Sequence, residues 1–376
     1  MMRKKIAGNR IGVYFGTFAP FHIGHYSVAM KAKRQNDGAV VIASGRDDDR
    51  GTKIGLGVDK RFRYVREVFR NDELVAVGKL NESQANIPAA PHGWPLWLDE
   101  VEKQIKTLIV NPAAKLTFYV GEADYAQRIR ALRPQYEVEV LDRSDLKISA
   151  TEIRKDPMKN WNYITTPFRR HFSKHVLISG GGSVGKTTLV QDLARSYGSP
   201  YSLEYARDYQ EKNGIFDEEL TAMDYQKLLL GQYNRTSSVI NGSTNNGLVF
   251  ADTNSTATKA YMDYYLAKTA TAIELEVLDG MYQNTIAQEQ WDLIIIVPPY
   301  ADYYDDGVRD MNMGDQHIRE LFTQHLVDLF RDAGLGDKLV ILDSAFSEAD
   351  PHGYYGRFKQ AQQLIAEHLH INLGNV

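Results

Sequence analysis

The chain of 376 residues has no cysteine, no long apolar run and no large excess of charge of either sign. The lack of cysteine excludes disulfides, thiolate metal sites and cysteine nucleophiles, and makes the cytoplasm the expected compartment. Apolar runs such as LIIIVPPY are far shorter than the ~20 residues of a membrane-spanning helix, and no apolar signal segment follows the basic start MMRKK. A net charge of −4 is not typical of nucleic-acid-binding proteins. We therefore expect neither a membrane span nor a nucleic-acid partner.

Two series of short apolar runs alternate with helical patterns, which predicts two open parallel α/β sheets. The first series consists of RIGVYF, AVVIAS, ELVAVGKL, KLTFYVG and YEVEVLD, and the second of HVLISG, PYSLEYA, GLVFADT, WDLIIIVP and KLVILD. At ~150 residues per domain, the length also predicts two domains. We assign them to residues 1–160 and 175–376. Residues 161–174, rich in aromatic and basic side chains and without clean periodicity, form the predicted connector.

A loop that joins the first predicted strand to a helix has the sequence GTFAPFHIGH. Its residues Gly16, Thr17, Phe18 and Gly24 are candidates for contact with a phosphate at the positive end of the helix. His22 and His25 are three residues apart and project from one helix face. Two imidazoles there can stabilise charge that develops at phosphorus, which indicates nucleotidyl transfer.

The later segment ISATEIR predicts a helix with a capping box formed by Ser149 and Glu152, whose free N–H groups can bind phosphates. Together the two segments resemble the nucleotidyltransferase superfamily, with its (H/T)xGH signature and its ISxxxxR motif at Ile148, Ser149, Thr151 and Arg154. The resemblance implies transfer of AMP from ATP to a phosphate-bearing acceptor, with Arg154 on the outer phosphate oxygens and magnesium on the triphosphate. HIGH also occurs in class I aminoacyl-tRNA synthetases, but the chain has no KMSKS-like loop.

The segment GGGSVGKT matches G-x-x-x-x-G-K-[ST] between a predicted strand and a predicted helix, the setting of a P-loop. Lys186 is expected on the β- and γ-phosphates, and Thr187 on Mg²⁺ together with Asp252 at the end of the strand GLVFADT. The candidate ATP-binding residues of this loop are Gly180, Gly181, Gly182, Ser183, Val184, Gly185, Lys186, Thr187 and Thr188.

Small-molecule kinases with this fold place an acidic group after the strand that follows the P-loop helix. Glu204 in SLEYARDY is therefore our candidate base for the hydroxyl proton of a substrate, with Asp208 in reserve. The polar segment YADYYDDGVRDMNMGD has the composition of a lid, and Arg309 is expected to contact the transferring phosphoryl group. An exposed arginine in an acidic loop is the alternative.

An adenylyltransferase followed by a P-loop kinase resembles the bacterial NadR-type family of nicotinamide-nucleotide adenylyltransferase/ribosylnicotinamide kinases. GRDDDRGTKIGLGVDKRFRYVREVF, GWPLWLDEV, VGEADYA and LDRSDLKISATEIR occur in that family in the same order. The resemblance implies phosphorylation of nicotinamide riboside to nicotinamide mononucleotide (NMN) with Mg²⁺–ATP, and then formation of NAD from NMN and ATP.

Further ligand contacts are expected from three places in the first domain. Trp94 and Trp97 can offer flat faces to the cationic nicotinamide ring, although an ordinary core position is an equal alternative for both. Arg46 is a candidate contact of the nicotinamide nucleotide. Gly121 and Asp124 follow a predicted strand at the expected ATP-binding edge of the sheet.

Two features depart from the family pattern. Full-length regulators of the family begin with a helix-turn-helix, whereas here the first catalytic strand begins by Arg10, so gene repression is not expected. Relatives often have aspartate at the position of Asn254. Two alternatives stay open, namely the adenylyltransferase and kinase pair of coenzyme A synthesis and a nucleotide sensor with a weak or inactive kinase. A homo-oligomer also stays open.

Overall fold

The computed structural model describes residues 5–142, 148–304, 307, 309–343 and 348–372. The chain divides into two compact units, Met1–His171 and Phe172–Val376. The division falls inside the segment 161–174 that we assigned to the connector. Residues of that segment before the division pack into the first unit, where Phe168 is buried and its ring lies 5.2 Å from that of Tyr64.

The first unit contains a five-stranded parallel sheet in the order β3-β2-β1-β4-β5. Its strands are β1 (Arg10–Gly16), β2 (Gly38–Gly45), β3 (Val75–Asn81), β4 (Lys115–Val120) and β5 (Glu137–Val140). Its helices are α1 (Ile23–Gln35), α2 (Val58–Val68), α3 (Trp94–Leu108), α4 (Ala123–Leu132), α5 (Ala150–Lys155) and α6 (Thr166–Arg169). Every residue of β2 is buried. Burial on both faces explains why the strand reads as a continuous apolar run instead of an alternating one.

The second unit contains another five-stranded parallel sheet, in the order β10-β9-β6-β8-β7. Its strands are β6 (Lys174–Ser179), β7 (Tyr201–Ser202), β8 (Leu248–Asp252), β9 (Leu293–Ile296) and β10 (Leu339–Ile341). Its helices are α7 (Lys186–Tyr197), α8 (Tyr205–Asn213), α9 (Ala222–Ile240), α10 (Ser255–Leu266), α11 (Ala272–Ile286), α12 (Gln316–Asp332) and α13 (Tyr354–Leu369). The two parallel sheets confirm the predicted fold class.

The order of the strands in each sheet places a crevice at the carboxyl ends of its central strands. In the first unit, β2 and β3 lie on one side of β1 and β4 and β5 on the other, so the loops after β1 and β4 diverge. Ligands of open α/β sheets bind at such a switch point. In the second unit, β6 lies between β8 and β9, and its carboxyl end leads into the P-loop.

Local structure differs from expectation after the P-loop helix. The run PYSLEYA predicts a full strand, but β7 has only two residues, and Glu204 becomes the N-cap of α8. A short 3₁₀ turn (Asp217–Glu219) follows, and α9 begins at Ala222. Thr221 and Asp224 form a reciprocal capping box there, which satisfies the first free N–H groups of α9. Among the helices of the described ranges, none is long and apolar enough to cross a bilayer.

Candidate active sites

A cavity of about 980 Å³ lies at the carboxyl ends of the first sheet. It brings together residues from four segments that are separate in the sequence. The predicted residues that line it are Gly16, Thr17, Phe18, His22, His25, Trp94, Trp97, Gly121, Asp124, Ser149 and Thr151. Gly24 lies just behind, where its backbone N–H donates to Nδ1 of His22 at 3.1 Å.

His22 and His25 form a reciprocal cap at the start of α1. The backbone N–H of His22 donates to Nδ1 of His25 at 3.3 Å, and the two ring centroids are 3.7 Å apart. Because Nδ1 of each ring accepts a hydrogen bond, the neutral form of each carries its proton on Nε2. Burial lowers the pKa of His22 to about 4, so this ring is neutral at pH 7. The pair is therefore arranged as donors of N–H bonds and not as bases.

The ISxxxxR motif joins the loop after β1 through a side chain. Arg154 donates from Nη1 to the backbone oxygen of Ala19 at 2.6 Å and from Nη2 to Oγ1 of Thr151 at 2.9 Å. Burial lowers the pKa of Arg154, although a guanidinium stays charged at pH 7. Ser149 and Glu152 form the expected capping box at the start of α5. Residues 143–147, which precede this motif in the segment LDRSDLKISATEIR, lie outside the described residues.

The two candidate nicotinamide-binding tryptophans pack against each other at 5.4 Å between ring centroids. Trp97 is buried, lies 4.5 Å from the ring of Phe15, and donates from Nε1 to Oγ of Ser44 at 3.0 Å. Trp94 is half-buried and lies 5.0 Å from the ring of Tyr125. Both line the cavity, but most of the surface of Trp97 is used in packing.

Arg46, like Arg154, is not among the described residues that line this cavity. Its guanidinium donates to the backbone oxygen of Ile87 at 2.8 Å and lies 3.6 Å from the carboxylate of Asp48. The geometry gives Arg46 a role in holding the loop after β3, and it does not support the expected ligand contact.

Several lining residues were missed by the sequence analysis, namely Tyr14, Ser44, Arg50, Glu82, Tyr125 and Arg128. Two of them carried a signal that could have been used. Ser44 ends the run AVVIAS, and Glu82 follows the run ELVAVGKL, so both are at the carboxyl edge of the predicted sheet. Ser44 donates to Oε1 of Glu82 at 2.7 Å.

In the second unit, the P-loop has the backbone that its glycines predict. Gly180 has φ +150° and Gly185 has φ +85°. A Cβ on Gly180 would lie 2.6 Å from the backbone oxygen of Val297, so a larger residue does not fit there. Lys186 is buried and donates to the backbone oxygen of Gly181 at 2.7 Å. The loop thus surrounds the lysine at the start of α7.

Asp252, at the end of β8, is fully buried and accepts a hydrogen bond from Oγ1 of Thr187. Its second oxygen, Oδ1, is buried and has no hydrogen-bond partner among the described residues. Burial raises the pKa of Asp252 to about 6, against the opposing effect of the Lys186 ammonium. A carboxylate oxygen without a donor beside a threonine hydroxyl fits the ligand chemistry of Mg²⁺.

A smaller cavity of about 70 Å³ lies beside the P-loop and contains the candidate base. Glu204 lines it together with Lys186 and Arg309. Asp208, the reserve base, is exposed and pairs with Arg235, and it is not among the described lining residues. Of the two carboxylates, Glu204 is therefore the one with access to a ligand in this cavity.

Arg309 contacts the P-loop directly, since its Nη1 donates to Oγ of Ser183 at 2.5 Å. The same atom donates to the backbone oxygen of Tyr304 at 3.0 Å. These bonds favour the expectation of an arginine close to bound phosphates over that of a solvated surface arginine. Residues 305, 306 and 308 of the expected lid lie outside the described residues.

The aromatic and acidic wall of this smaller cavity was not predicted from the sequence. The wall consists of Asp217, Tyr225, Tyr261, Tyr265 and Tyr303. Tyr261 and Tyr265 are one helical turn apart, a spacing that is also typical of core packing, so the sequence carried no clear signal. Burial raises the pKa of Asp217, with a nearby Glu204 charge acting in the same direction.

Two different family models match the two halves of the chain, in agreement with two sites of different kinds. Residues 13–156 match the cytidylyltransferase-like family model, and residues 175–347 match a model of the AAA domain. A crystal structure of a NadR protein in complex with NR is 39% identical, and the likeness covers 100% of both chains with a TM-score of 0.87. The chain belongs to the NadR family.

A second NadR crystal structure and the NadR protein of Salmonella typhimurium extend this likeness. A crystal structure of NadR in complex with NAD and AMP-PNP is 38% identical, with a TM-score of 0.83 and coverage of 99% of both chains. The trifunctional NAD biosynthesis/regulator protein NadR of Salmonella typhimurium is 28% identical over 366 residues, which are 95% of this chain and 83% of the relative. The NadR-type resemblance read from the motifs is confirmed.

Proposed function

We propose that the chain makes NAD from nicotinamide riboside in two ATP-dependent steps. The second unit phosphorylates the riboside to NMN, and the first unit joins NMN to the AMP part of ATP and releases pyrophosphate. The observation that carries the proposal is the likeness, over the whole chain, to NadR structures that contain NR in one case and NAD with AMP-PNP in the other. The two cavities and their motifs support an assignment of one step to each unit.

In the transferase step, His22 and His25 donate Nε2–H bonds to phosphate oxygens as negative charge develops. The Nδ1 atoms of both rings are held by backbone N–H groups, so the rings are oriented before the substrates bind. Arg154 adds a positive charge to the outer phosphates, and Ser149 opens the helix whose N-terminus faces the cavity. Positioning and charge stabilisation are sufficient for such a reaction, because the attacking phosphate of NMN is already ionised.

In the kinase step, Glu204 accepts the proton of the riboside hydroxyl that attacks the γ-phosphate. Lys186 and Arg309 stabilise the charge that develops on the transferred group. Lys186 exchanges its bond to the oxygen of Gly181 for bonds to phosphate oxygens. Thr187 and Asp252 would hold Mg²⁺, which would neutralise part of the charge of the phosphates.

The test is conversion of nicotinamide riboside to NAD by the purified chain with ATP and MgCl₂, followed by a coupled alcohol dehydrogenase assay. A reaction without the riboside gives the background. A reaction with NMN in place of the riboside measures the transferase step alone. Phosphopantetheine and dephospho-coenzyme A are the matched substrates for the rival pair of reactions. Product from those two and none from the riboside would contradict the proposal, and binding of ATP without any product would support the sensor. The cytoplasmic location expected from the lack of cysteine stays a prediction.

A further inference from the structure

Glu82 is a carboxylate in a cavity that must bind two polyanions. It follows β3, is half-buried, and lines the transferase cavity. Negative charge at such a place weakens the binding of phosphates, so its presence calls for a compensating interaction with another part of a ligand.

The position of Glu82 in the sheet indicates which ligand it meets. Of the residues assigned to ATP, Gly121 and Asp124 follow β4, on one side of β1. Ser44 and Glu82 come from β2 and from the loop after β3, on the opposite side of β1. His22 follows β1, the strand that lies between these two groups in the strand order of the sheet. The side of the cavity that contains Glu82 is therefore available for the acceptor nucleotide.

The carboxylate is held in place by a short chain of hydrogen bonds. Trp97 donates from Nε1 to Oγ of Ser44 at 3.0 Å, and Ser44 donates from the same oxygen to Oε1 of Glu82 at 2.7 Å. Because the indole N–H occupies the serine oxygen as an acceptor, the hydroxyl proton is directed to Glu82. Among the described residues, Ser44 is the side chain that donates to this carboxylate, which leaves Oε2 for a donor on a ligand.

We propose that Glu82 selects the nicotinamide form of the acceptor, NMN, over the corresponding nucleotide of nicotinic acid. This inference rests on the proposed function of the first unit. The carboxamide of NMN has an N–H₂ group that donates to a carboxylate. The acid analogue presents a second carboxylate instead, which provides no donor and adds repulsion between like charges.

The assignment gives Ser44 and Trp97 a positioning role. Trp97 is buried, so little of its indole face is accessible to a ligand. Its N–H instead fixes the hydroxyl of Ser44, which orients Glu82. The buried tryptophan is thus connected to ligand recognition through a hydrogen bond and not through stacking.

The experiment compares kcat/KM for NMN and for nicotinate mononucleotide in the full chain and in its variants, with the products separated by chromatography. The ratio of the two values in one preparation does not depend on the fraction of folded enzyme. We expect the wild type to prefer NMN, and Glu82→Gln and Glu82→Ala each to shift the ratio towards the acid nucleotide by at least about tenfold. Glu82→Asp keeps the charge and is expected to keep the preference.

Asp47→Asn is the matched control. Asp47 is exposed, accepts a hydrogen bond from Asn81 at 2.9 Å, and is not among the described residues that line the cavity. The substitution Asp47→Asn removes one negative charge near the same strand ends. The ratio of kcat/KM for the two nucleotides is expected to equal that of the wild type. A ratio unchanged in both Glu82→Gln and Glu82→Ala would overturn the inference, as would equal use of both nucleotides by the wild type. Failure of the wild type to make NAD from NMN would instead contradict the proposed function.

Discussion

Arg154 donates a hydrogen bond at 2.6 Å to the backbone oxygen of Ala19, which is 135 residues earlier in the chain. One guanidinium thus joins the two motifs of the first unit, because its other nitrogen is bound to Thr151. The contact fixes the arginine beside the loop whose histidines face the cavity. It brings together two short motifs that are far apart in the sequence.

We predict that Arg154→Lys lowers kcat/KM for NAD formation from NMN by about 10²-fold, since one ammonium cannot replace a fork of donors. The riboside kinase rate of the same preparation is expected to be unchanged. Lys155→Ala is the control, because Lys155 is exposed on the same helix. Equal losses in the two variants would contradict a specific role for the forked donors of Arg154.

His25→Ala is expected to abolish NAD formation from NMN and to leave phosphorylation of the riboside intact, whereas Lys186→Ala does the reverse. The reason is that these side chains belong to different units, each with its own sheet and cavity. Each step is measured separately with its own acceptor. Loss of both activities in either folded variant would rule out two independent sites.

The kinase base is tested by Glu204→Gln, which is expected to lower kcat for the riboside by 10²-fold or more, in the range of about 10²–10⁴ for general bases. Asp208→Asn is expected to have a small effect, because Asp208 is exposed and paired with Arg235. Glu211→Gln, which changes an exposed carboxylate on the same helix, serves as the control. A larger loss in Asp208→Asn than in Glu204→Gln would reverse the assignment.

The stability of the first unit is expected to fall with acid partly because of His22. Its pKa is about 4 in the folded protein and 6.5 ordinarily, so the neutral form is favoured by the fold. The stabilisation is complete above pH 6.5 and is lost as the pH falls towards 4, at a cost of at most ~3 kcal/mol. His22→Asn keeps an N-cap acceptor and is expected to make the free energy of unfolding less dependent on pH.

The measurement is urea unfolding of the full chain between pH 4.5 and 7.5, monitored by tryptophan fluorescence. Burial also lowers the pKa of His171 to about 4, so some pH dependence is expected to persist in His22→Asn. His171→Asn is the parallel variant. An identical pH dependence in the wild type and in His22→Asn would show that His22 is not buried in its neutral form.

Much of the fold was predictable because parallel strands with two buried faces leave continuous apolar runs, as in β1, β2 and β6. The P-loop and the histidine pair were predictable for a related reason, since phosphate binding needs glycine backbones and particular donors at fixed spacing along the chain. The short β7 was not predictable. Glu204 occupies the N-cap position of α8 there, and an isolated apolar run does not indicate where a helix replaces a strand.

By itself the sequence determined the two-domain α/β organisation, the phosphate-binding loops and the family. Only the tertiary structure decided which side chains share a cavity, as Glu82 does with Ser44 and Trp97. It also decided which candidate residues have other partners. Asp208 pairs with Arg235, and Arg46 donates a hydrogen bond to the loop after β3. The physical reason is that a motif is a local property of the backbone, whereas a hydrogen bond between strands depends on register and on packing between residues far apart in the chain.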